Sequence, residues 1–348
     1  MEPGHRCNDP GLAPWSDPSE VVTRQGRHDL TQAYATIDPT PGEATAAETE
    51  TKQSASTERM KFGVMLYPDV PFPELIRQAQ WMEELGFDQI FLPDHSANLR
   101  DLSGVWFDGL TALAAVAMHT DSIRIGTLVS NPILRPPAML ALQARSIDHL
   151  SGGRLELGIG AGVFAWDHHA VGEEPWSAKE RAGRFAEYVA IVAGILQGTG
   201  EPFRFEGEWL WVRDVQTTPG SAQAPRTPII VGGQSPTILR VAAERADVWN
   251  TIGPMSADAE EVLAVTGRQN TRIDELATAA GRDPATIRRS FALYGPWDPW
   301  ESPVTLEEVV ERFDAIGITE FVTNIPPPDR LDDFERMARE TIPALRTR

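Results

Sequence analysis

The chain has 348 residues, 41% of them hydrophobic, which suits one large globular domain or two smaller ones. Its 50 acidic and 31 basic side chains give a formal net charge of −19, which disfavours nucleic acid and anionic membranes as partners. No apolar run approaches the ~20 residues that span a bilayer. Cys7 is the only cysteine, which excludes an internal disulfide and a cysteine-based metal cluster. Since no apolar segment typical of a signal peptide lies near the start, we expect a cytoplasmic protein.

The first 58 residues differ in composition from the rest of the chain. They are rich in Pro, Gly, Ser, Thr, Ala and acidic residues, and the stretch 42–58 is almost wholly small or polar. Such a segment buries too little apolar surface to offset its ordering entropy. We therefore predict a disordered N-terminal extension over 1–58 and a folded domain over 59–348.

From Lys61 onward, short apolar runs alternate with longer amphipathic ones. The short runs have the length and composition of buried strands, and the longer ones have apolar residues spaced for one helix face. In chain order, the predicted strand and helix pairs are 62–66 with 75–85, 90–92 with 110–118, 123–129 with 137–150, 154–160 with 177–196, 228–231 with a helix from 236, 247–250 with 257–280, 290–294 with 305–316, and 321–323 with 331–345.

Local signals mark several boundaries between these elements. Ser177 with Glu180 and Thr305 with Glu308 form capping boxes, which predict two helix starts. Alternating aromatic residues within 201–215 predict a hairpin. The stretch from Ala161 to Trp176 shows no regular period, and we expect it to be irregular.

About eight strand–helix units, over a length near the ~250 residues usual for such folds, predict an α/β fold, a (βα)₈ TIM barrel with insertions. A doubly wound open sheet is the structural alternative, but the first unit lacks the G-x-G-x-x-G turn expected of it. In a barrel the active site lies at the carboxyl ends of the strands. The residues that follow each predicted strand are therefore the candidates for chemistry.

A histidine comes directly after the second predicted strand, in the sequence Leu92-Pro93-Asp94-His95. Histidine at a strand end can carry a proton, donate a hydrogen bond or bind a metal, and the neighbouring Asp94 is a candidate to fix its tautomer. The alternative is a loop in which these residues cap a nearby helix.

Small residues follow the third and fourth predicted strands. Segment 126–132 is rich in small and polar residues, and the fourth strand ends in Gly158, Gly160 and Gly162. Residues of this kind allow a planar ring to approach the backbone closely. A proline-terminated loop and an ordinary glycine-rich loop are the simpler alternatives.

The fifth of the paired strands runs through Gly232-Gly233-Gln234-Ser235 straight into a helix. Amides at a helix N-terminus, together with glycines and a hydroxyl, suit a phosphate group. A plain capped turn is the alternative, and we favour the phosphate site.

The tripeptide Asp167-His168-His169 contains metal-ligating residue types. Adjacent histidines rarely bind one ion, and no cysteine or His-Glu-x-x-His pattern supports them. We therefore predict a solvated loop at this position and no metal site.

Taken together and in order, several segments resemble the luciferase-like family of flavin- and deazaflavin-dependent oxidoreductases. The resemblance covers essentially 61–345. The segments that carry it are SIRIGTLVSNP at 122–132, RPP at 135–137, SGGRLELGIGAG at 151–162, PIIVGG at 228–233 and ADVWN at 246–250.

The resemblance implies an oxidoreductase or monooxygenase in which a cofactor ring lies over the barrel mouth and transfers hydride to or from a small organic substrate. It also implies a non-proline cis peptide at about Leu128-Val129 and a phosphate held by the turn from Gly232 to Ser235. His95 is then the candidate catalytic residue. The residues assigned to cofactor binding are Asp94, Thr127, Leu128, Val129, Asn131, Gly160, Gly162, Gly232, Gly233, Gln234 and Ser235.

The pair Asp94-His95 is similar to the Asp-His pair of family members that use coenzyme F420, so we favour F420 and keep FMN as the alternative. Some F420-dependent sugar-phosphate dehydrogenases have a Glu where this chain has Val163, so their substrate does not carry over.

Two other functions stay open. One is a non-redox barrel enzyme or binding protein for a phosphorylated metabolite, and the other is an inert flavin-binding relative. We expect a small-molecule substrate, neither nucleic acid nor membrane as partner, and leave a homodimer open.

Overall fold

A computed structural model of the chain describes residues 60–347. Eight parallel strands close into a barrel in the order β1-β10-β9-β8-β7-β4-β3-β2, and β5 and β6 form a separate antiparallel hairpin. The predicted (βα)₈ fold is thereby confirmed, and the open sheet is excluded. The strands are β1 (Lys61–Met65), β2 (Gln89–Leu92), β3 (Arg124–Ser130), β4 (Leu155–Ile159), β5 (Phe203–Glu206), β6 (Trp211–Val215), β7 (Ile229–Gly232), β8 (Val248–Thr251), β9 (Arg288–Ala292) and β10 (Glu320–Asn324).

Helices follow the barrel strands and cover their outer faces. Each predicted helix is present, with ends shifted by a few residues. The helices are α1 (Phe72–Glu84), α2 (Gly109–His119), α3 (Pro137–Leu150), α4 (Ala165–Ala170), α5 (Ala178–Leu196), α6 (Pro236–Arg245), α7 (Ala259–Ala279), α8 (Leu306–Asp314), α9 (Leu331–Arg336) and α10 (Ile342–Leu345). Short 3₁₀ turns cover Pro284–Thr286, Gly295–Trp297 and Pro328–Arg330.

Both predicted capping boxes start helices. The Ser177 hydroxyl accepts a hydrogen bond from the Glu180 amide at 3.2 Å, and Thr305 does the same for Glu308 at 3.2 Å. Each cap satisfies one of the amides that a helix start leaves without an intrahelical partner. These local bonds explain why α5 and α8 begin where the sequence predicts.

Two segments differ from their predicted form. The stretch predicted to be irregular contains α4, and the predicted helix over 331–345 is interrupted by a π-helical turn at Met337–Thr341. Pro343 lies just after that turn, and a proline removes one backbone donor and crowds the preceding turn. The wider turn lets the helix continue into α10, whose second residue is this proline.

The barrel interior is apolar in its middle layer. Its inward-facing residues are Met65, Phe91, Ile230, Val248, Ala292 and Val322, and the partly buried Tyr67, Leu128, Ile252 and Tyr294 pack against them. These four side chains therefore form the floor of the barrel mouth, where the strands end. Within residues 60–347, none of the helices combines the length and the apolar character needed to cross a bilayer.

Charged side chains close the opposite end of the barrel. Glu156 on β4 is buried and accepts hydrogen bonds from Arg124 at 2.7 Å, Arg288 at 3.0 Å and Gln89 at 3.0 Å. Burial alone would raise the pKa of Glu156, but Arg288 and Arg124 outweigh burial and lower it. Glu156 is therefore ionised at neutral pH and links β4 to three other strands.

The predicted extension over 1–58 lies outside the described residues, and its role is open to a direct test. We expect a chain beginning at Met60 to keep the melting temperature of the full chain, because the core formed by the described residues begins at Phe62 and the composition of 1–58 offers little apolar surface to add to it. Thermal unfolding followed by circular dichroism measures this, and a cofactor titration checks the site. A marked loss of stability or affinity in the shortened chain contradicts the prediction.

Candidate functional site

The end of β3 departs from regular strand geometry. The peptide bond between Leu128 and Val129 is cis, as the resemblance implied, and the register against β4 shifts between Thr127 and Ser130. Gly160, just after β4, and Gly232, at the end of β7, make room for the Val129 side chain. A Cβ at Gly160 would lie 2.3 Å from Val129 Cγ2, and one at Gly232 would lie 2.8 Å from Val129 Cγ1.

His95 is held by Asp167, which lies 72 positions further along the chain. Its Nδ1 lies 2.8 Å from Asp167 Oδ2, and that oxygen also accepts a bond from Asn131 Nδ2 at 2.8 Å. The other Asp167 oxygen accepts from the amide and the hydroxyl of Ser96. Burial would raise the pKa of Asp167, but the bonds from His95 and Ser96 outweigh it and lower the pKa. An ionised carboxylate only accepts, so the Nδ1 of His95 carries its hydrogen and Nε2 is the remaining functional nitrogen.

The expected pairing of Asp94 with His95 is wrong. Asp94 is fully buried and forms a bidentate ion pair with Arg135, with N–O distances of 2.8 and 3.1 Å. It also accepts a hydrogen bond from the Asn131 backbone amide at 3.0 Å. Burial raises the pKa of Asp94, and Arg135 and the Asn131 amide oppose that rise. Side chains of consecutive residues diverge here, so Asp94 supports the loop from inside while His95 reaches Asp167. A direct contact between Asp94 and a cofactor stays a prediction.

The loop predicted at 167–169 is also wrong, because all three residues lie on a helix, and the predicted exposure to solvent is wrong for two of them. Asp167 and His168 are buried on the short helix α4, and only His169 is exposed. Phe164 and Trp166 stack at 4.2 Å between ring centroids, and Phe164 meets the His95 ring edge-on at 5.3 Å. These contacts hold α4 against the β2 loop. Across residues 60–347, no group of three His, Cys, Asp or Glu side chains is arranged to hold a metal ion.

The turn between β7 and α6 has the features expected of a phosphate site. Ser235 is the N-cap of α6, and its Oγ accepts from the Ile238 amide at 3.4 Å, so the hydroxyl hydrogen stays available to a ligand. Gly233 has a φ of +133°, which requires glycine, and its carbonyl accepts from Trp249 Nε1 at 2.9 Å. Gln234 Nε2 donates to the Gly253 carbonyl at 2.5 Å. Whether this turn binds phosphate stays a prediction.

The other predicted residues lie on the same side of the barrel. Thr127 is buried and donates to the Gly158 carbonyl at 2.8 Å, so it braces β3 against β4. Gly162 allows close packing on Ile133, where an added Cβ would lie 2.6 Å from Cδ1. Together the predicted residues occupy the ends of β2, β3, β4 and β7, which are consecutive in the barrel. Their contacts with a cofactor stay a prediction.

A cavity of about 770 Å³ opens at the ends of the other four strands, β1, β8, β9 and β10. None of the residues predicted from the sequence lines it. Its lining includes Tyr67, Tyr294 and Asn324, each of which lies at or just beyond the end of a barrel strand. Sequence reasoning missed them although they occupy the same position relative to a strand as His95, and that position is the signal that identifies them.

The sequence pattern of one family, described as luciferase-like monooxygenase, matches residues 53–297. The 5,10-methylenetetrahydromethanopterin reductase of Methanolobus tindarius is 29% identical over 66% of this chain, and the chain spans 63% of that protein's length. The F420-dependent glucose-6-phosphate dehydrogenase of Intrasporangium calvum is 26% identical over 78% of this chain and 95% of its own.

A solved structure shows the same architecture. The oxygenating constituent of 3,6-diketocamphane monooxygenase from Pseudomonas putida, in complex with FMN, superposes with a TM-score of 0.61 at 19% identity, covering 82% of this chain and 98% of its own. At that identity the likeness concerns the fold. The family match spans most of the chain, and the closed barrel agrees with it. The chain belongs to the luciferase-like monooxygenase family.

Proposed function

We propose that the protein is an oxidoreductase that binds a flavin-type cofactor at the barrel mouth and acts on a small organic molecule. The observation that carries this proposal is the His95–Asp167–Asn131 network beside the irregular end of β3. It combines an oriented imidazole with the closely packed end of β3, at the carboxyl ends of the strands, where barrel enzymes place their chemistry.

The residues present fit such a cofactor. Gly160, just after β4, and Gly232, at the end of β7, leave room for the Val129 side chain to pack against them, and Leu128 packs among the residues that form the floor of the mouth. The Ser235 turn offers a hydroxyl donor and a helix start for a phosphate. An apolar floor with a few fixed polar groups around it is the usual composition of a cofactor site.

A flavin or deazaflavin ring supplies hydride chemistry when it is bound. The protein's own side chains orient the imidazole of His95 and transfer protons. Asp167 fixes the ring of His95 and its Nδ1 hydrogen, so that Nε2 can take or give a proton at the reacting end of the site. Asn131 links the same carboxylate to the end of β3, so the imidazole and the end of β3 are held in one network.

Between the two cofactors, we favour coenzyme F420 over FMN. The support is the Asp94-His95 sequence and the similarity to a relative named as F420-dependent. The experiment that tests the proposal is a titration of the purified chain with F420 and with FMN, each oxidised and reduced, followed by absorbance and calorimetry. Saturable binding of one of them supports the proposal, and failure of both to bind contradicts it.

Ser235→Asp is expected to weaken cofactor binding by at least about 1 kcal/mol, because a carboxylate replaces a donor that faces the phosphate, and hydrogen bonds to charged groups are worth about 1.5–3 kcal/mol. Calorimetric titration measures the affinity. Ser235→Asn is the matched control, since Asn caps helices as well as Asp does and carries no charge. Equal affinities for wild type and the Asp variant would mean that the phosphate lies elsewhere.

A further inference from the structure

The cavity of about 770 Å³ lies beside the cofactor residues rather than among them. It is lined from the ends of β1, β8, β9 and β10, and from the loop that carries Leu99 and Arg100. Tyr67, Ile252 and Tyr294, which line it, pack against the same apolar cluster as Leu128. The cavity and the cis peptide at Leu128 therefore share one floor, and a molecule in the cavity lies next to the proposed site.

The hydrogen-bond directions within the cavity are fixed by Asn324. Its Nδ2 faces two acceptors, the Leu293 carbonyl at 3.3 Å and Asp298 Oδ2 at 3.4 Å. Its Oδ1 therefore faces Tyr67, whose hydroxyl donates to it at 3.0 Å. A tyrosine has one hydroxyl hydrogen, so Tyr67 has none left for Tyr294.

It follows that Tyr294 donates to Tyr67, across 3.2 Å between the two hydroxyl oxygens. The Tyr294 oxygen then offers only lone pairs to the cavity, and within residues 60–347 it has no further hydrogen-bond partner. Burial and the neighbouring Tyr67 raise the pKa of Tyr294 well above its ordinary value, so the phenol stays neutral. The cavity thus presents an acceptor where a substrate donor would bind.

The ionisable side chains in the lining carry mostly negative charge. The lining contains three carboxylates, Asp69, Asp298 and Glu301, and one cationic side chain, Arg100. Arg100 already lies over the Tyr67 ring, at 4.3 Å from the ring centroid. Anionic ligands are usually bound by clustered arginines or lysines or by helix starts. The excess of carboxylates in this lining, in a chain of net charge −19, disfavours the binding of an anionic ligand.

Most of the remaining lining residues are apolar, among them Leu66, Val70, Met255 and Ile325. We propose that the cavity binds the substrate, and that this substrate is an uncharged or cationic, largely apolar molecule whose O–H or N–H group donates to Tyr294. The proposal rests on the proposed function, which places the redox site at the same mouth. Such a substrate differs from a sugar phosphate, for which one relative is named, because the lining of the cavity contains no cluster of cationic side chains that could bind a phosphate.

Ligand-observed NMR titrations of the purified full chain, with and without F420 or FMN, test the proposal with five matched probes. These are benzyl alcohol, benzylamine, benzyl methyl ether, benzoate and benzyl phosphate. We expect the alcohol and the amine to bind about fivefold or more tightly than the ether, as one hydrogen bond of ordinary strength predicts. Benzoate and benzyl phosphate should bind more weakly than the ether.

Two conservative variants show whether Tyr294 is the acceptor. In Tyr294→Phe the alcohol should bind no better than the ether, while the affinity of the ether stays unchanged. In Tyr67→Phe, Tyr294 regains a free hydroxyl hydrogen, so the ether should bind more tightly than it does in wild type. A merely structural role for the tyrosines would weaken all probes alike. Circular dichroism melting curves verify that both variants are folded.

Several outcomes overturn the proposal. They are tighter binding of benzoate or benzyl phosphate than of the alcohol, equal affinities of alcohol and ether in wild type, and no saturable binding of either donor probe. Displacement of the alcohol by bound cofactor also overturns it, because the cavity would then belong to the cofactor. These results are separate from the cofactor titrations, which decide the proposed function without any substrate probe.

Discussion

His95→Ala is expected to lower turnover by roughly 10²–10⁴-fold, because a positioned acid or base contributes about that much to a rate. Asp167 fixes the orientation of this histidine, and both Asp167 oxygens are already engaged in hydrogen bonds, so the carboxylate is not free to replace the imidazole. The measurement is turnover at saturating cofactor together with the cofactor dissociation constant, on one folded preparation. We expect the loss of turnover to exceed any loss of affinity by a wide margin.

Ser96→Ala is the matched control for His95→Ala. It removes a hydroxyl that donates to the same Asp167 carboxylate at 2.6 Å, while the imidazole and its bond to Asp167 remain. We expect turnover within a few fold of wild type in this control. If His95→Ala behaves like Ser96→Ala, the histidine only supports the loop, and the proposed proton-handling role is wrong.

Glu156→Gln is expected to destabilise the fold by about 3–5 kcal/mol, the usual cost of breaking a buried ion pair from one side. The variant keeps the shape of the side chain but leaves Arg124 and Arg288 facing an uncharged amide at the closed end of the barrel. Equilibrium unfolding in urea measures the change in the free energy of unfolding. Glu206→Gln is the control, because Glu206 pairs with Arg213 at 2.9 Å on the exposed hairpin, where such pairs contribute up to about 1 kcal/mol.

The difference in the free energy of unfolding between wild type and Glu156→Gln should also depend on pH. The pKa of Glu156 lies below its ordinary value of 4.5 in the folded chain, so its ionised form stabilises the fold fully above that pH. As the pH falls through the lower folded pKa, Glu156 takes up a proton and the stabilisation is lost. The two unfolding free energies should therefore converge on acidification, and a gap that stays constant with pH would show that the charge is not responsible.

The order and type of the elements follow from local sequence patterns. Buried parallel strands appear as short apolar runs, helices show one apolar face, and the caps at Ser177 and Thr305 are bonds between residues three positions apart. Such features depend on neighbours in the chain, so the alternation that predicts the barrel is readable without the fold. The departures arise where a local pattern is weak, as in α4, where the two histidines beside Asp167 suggested a solvated surface.

The partners of the site residues depend instead on which strand ends the closed barrel brings together. By itself, the sequence determined that His95 follows a strand and that a glycine-containing turn leads into the helix capped by Ser235. The tertiary structure alone decided that His95 pairs with Asp167 rather than with its neighbour Asp94, and that Tyr67 meets Tyr294, 227 positions away. Side-chain pairing over such separations follows from barrel closure and loop packing, which residue type and spacing do not encode.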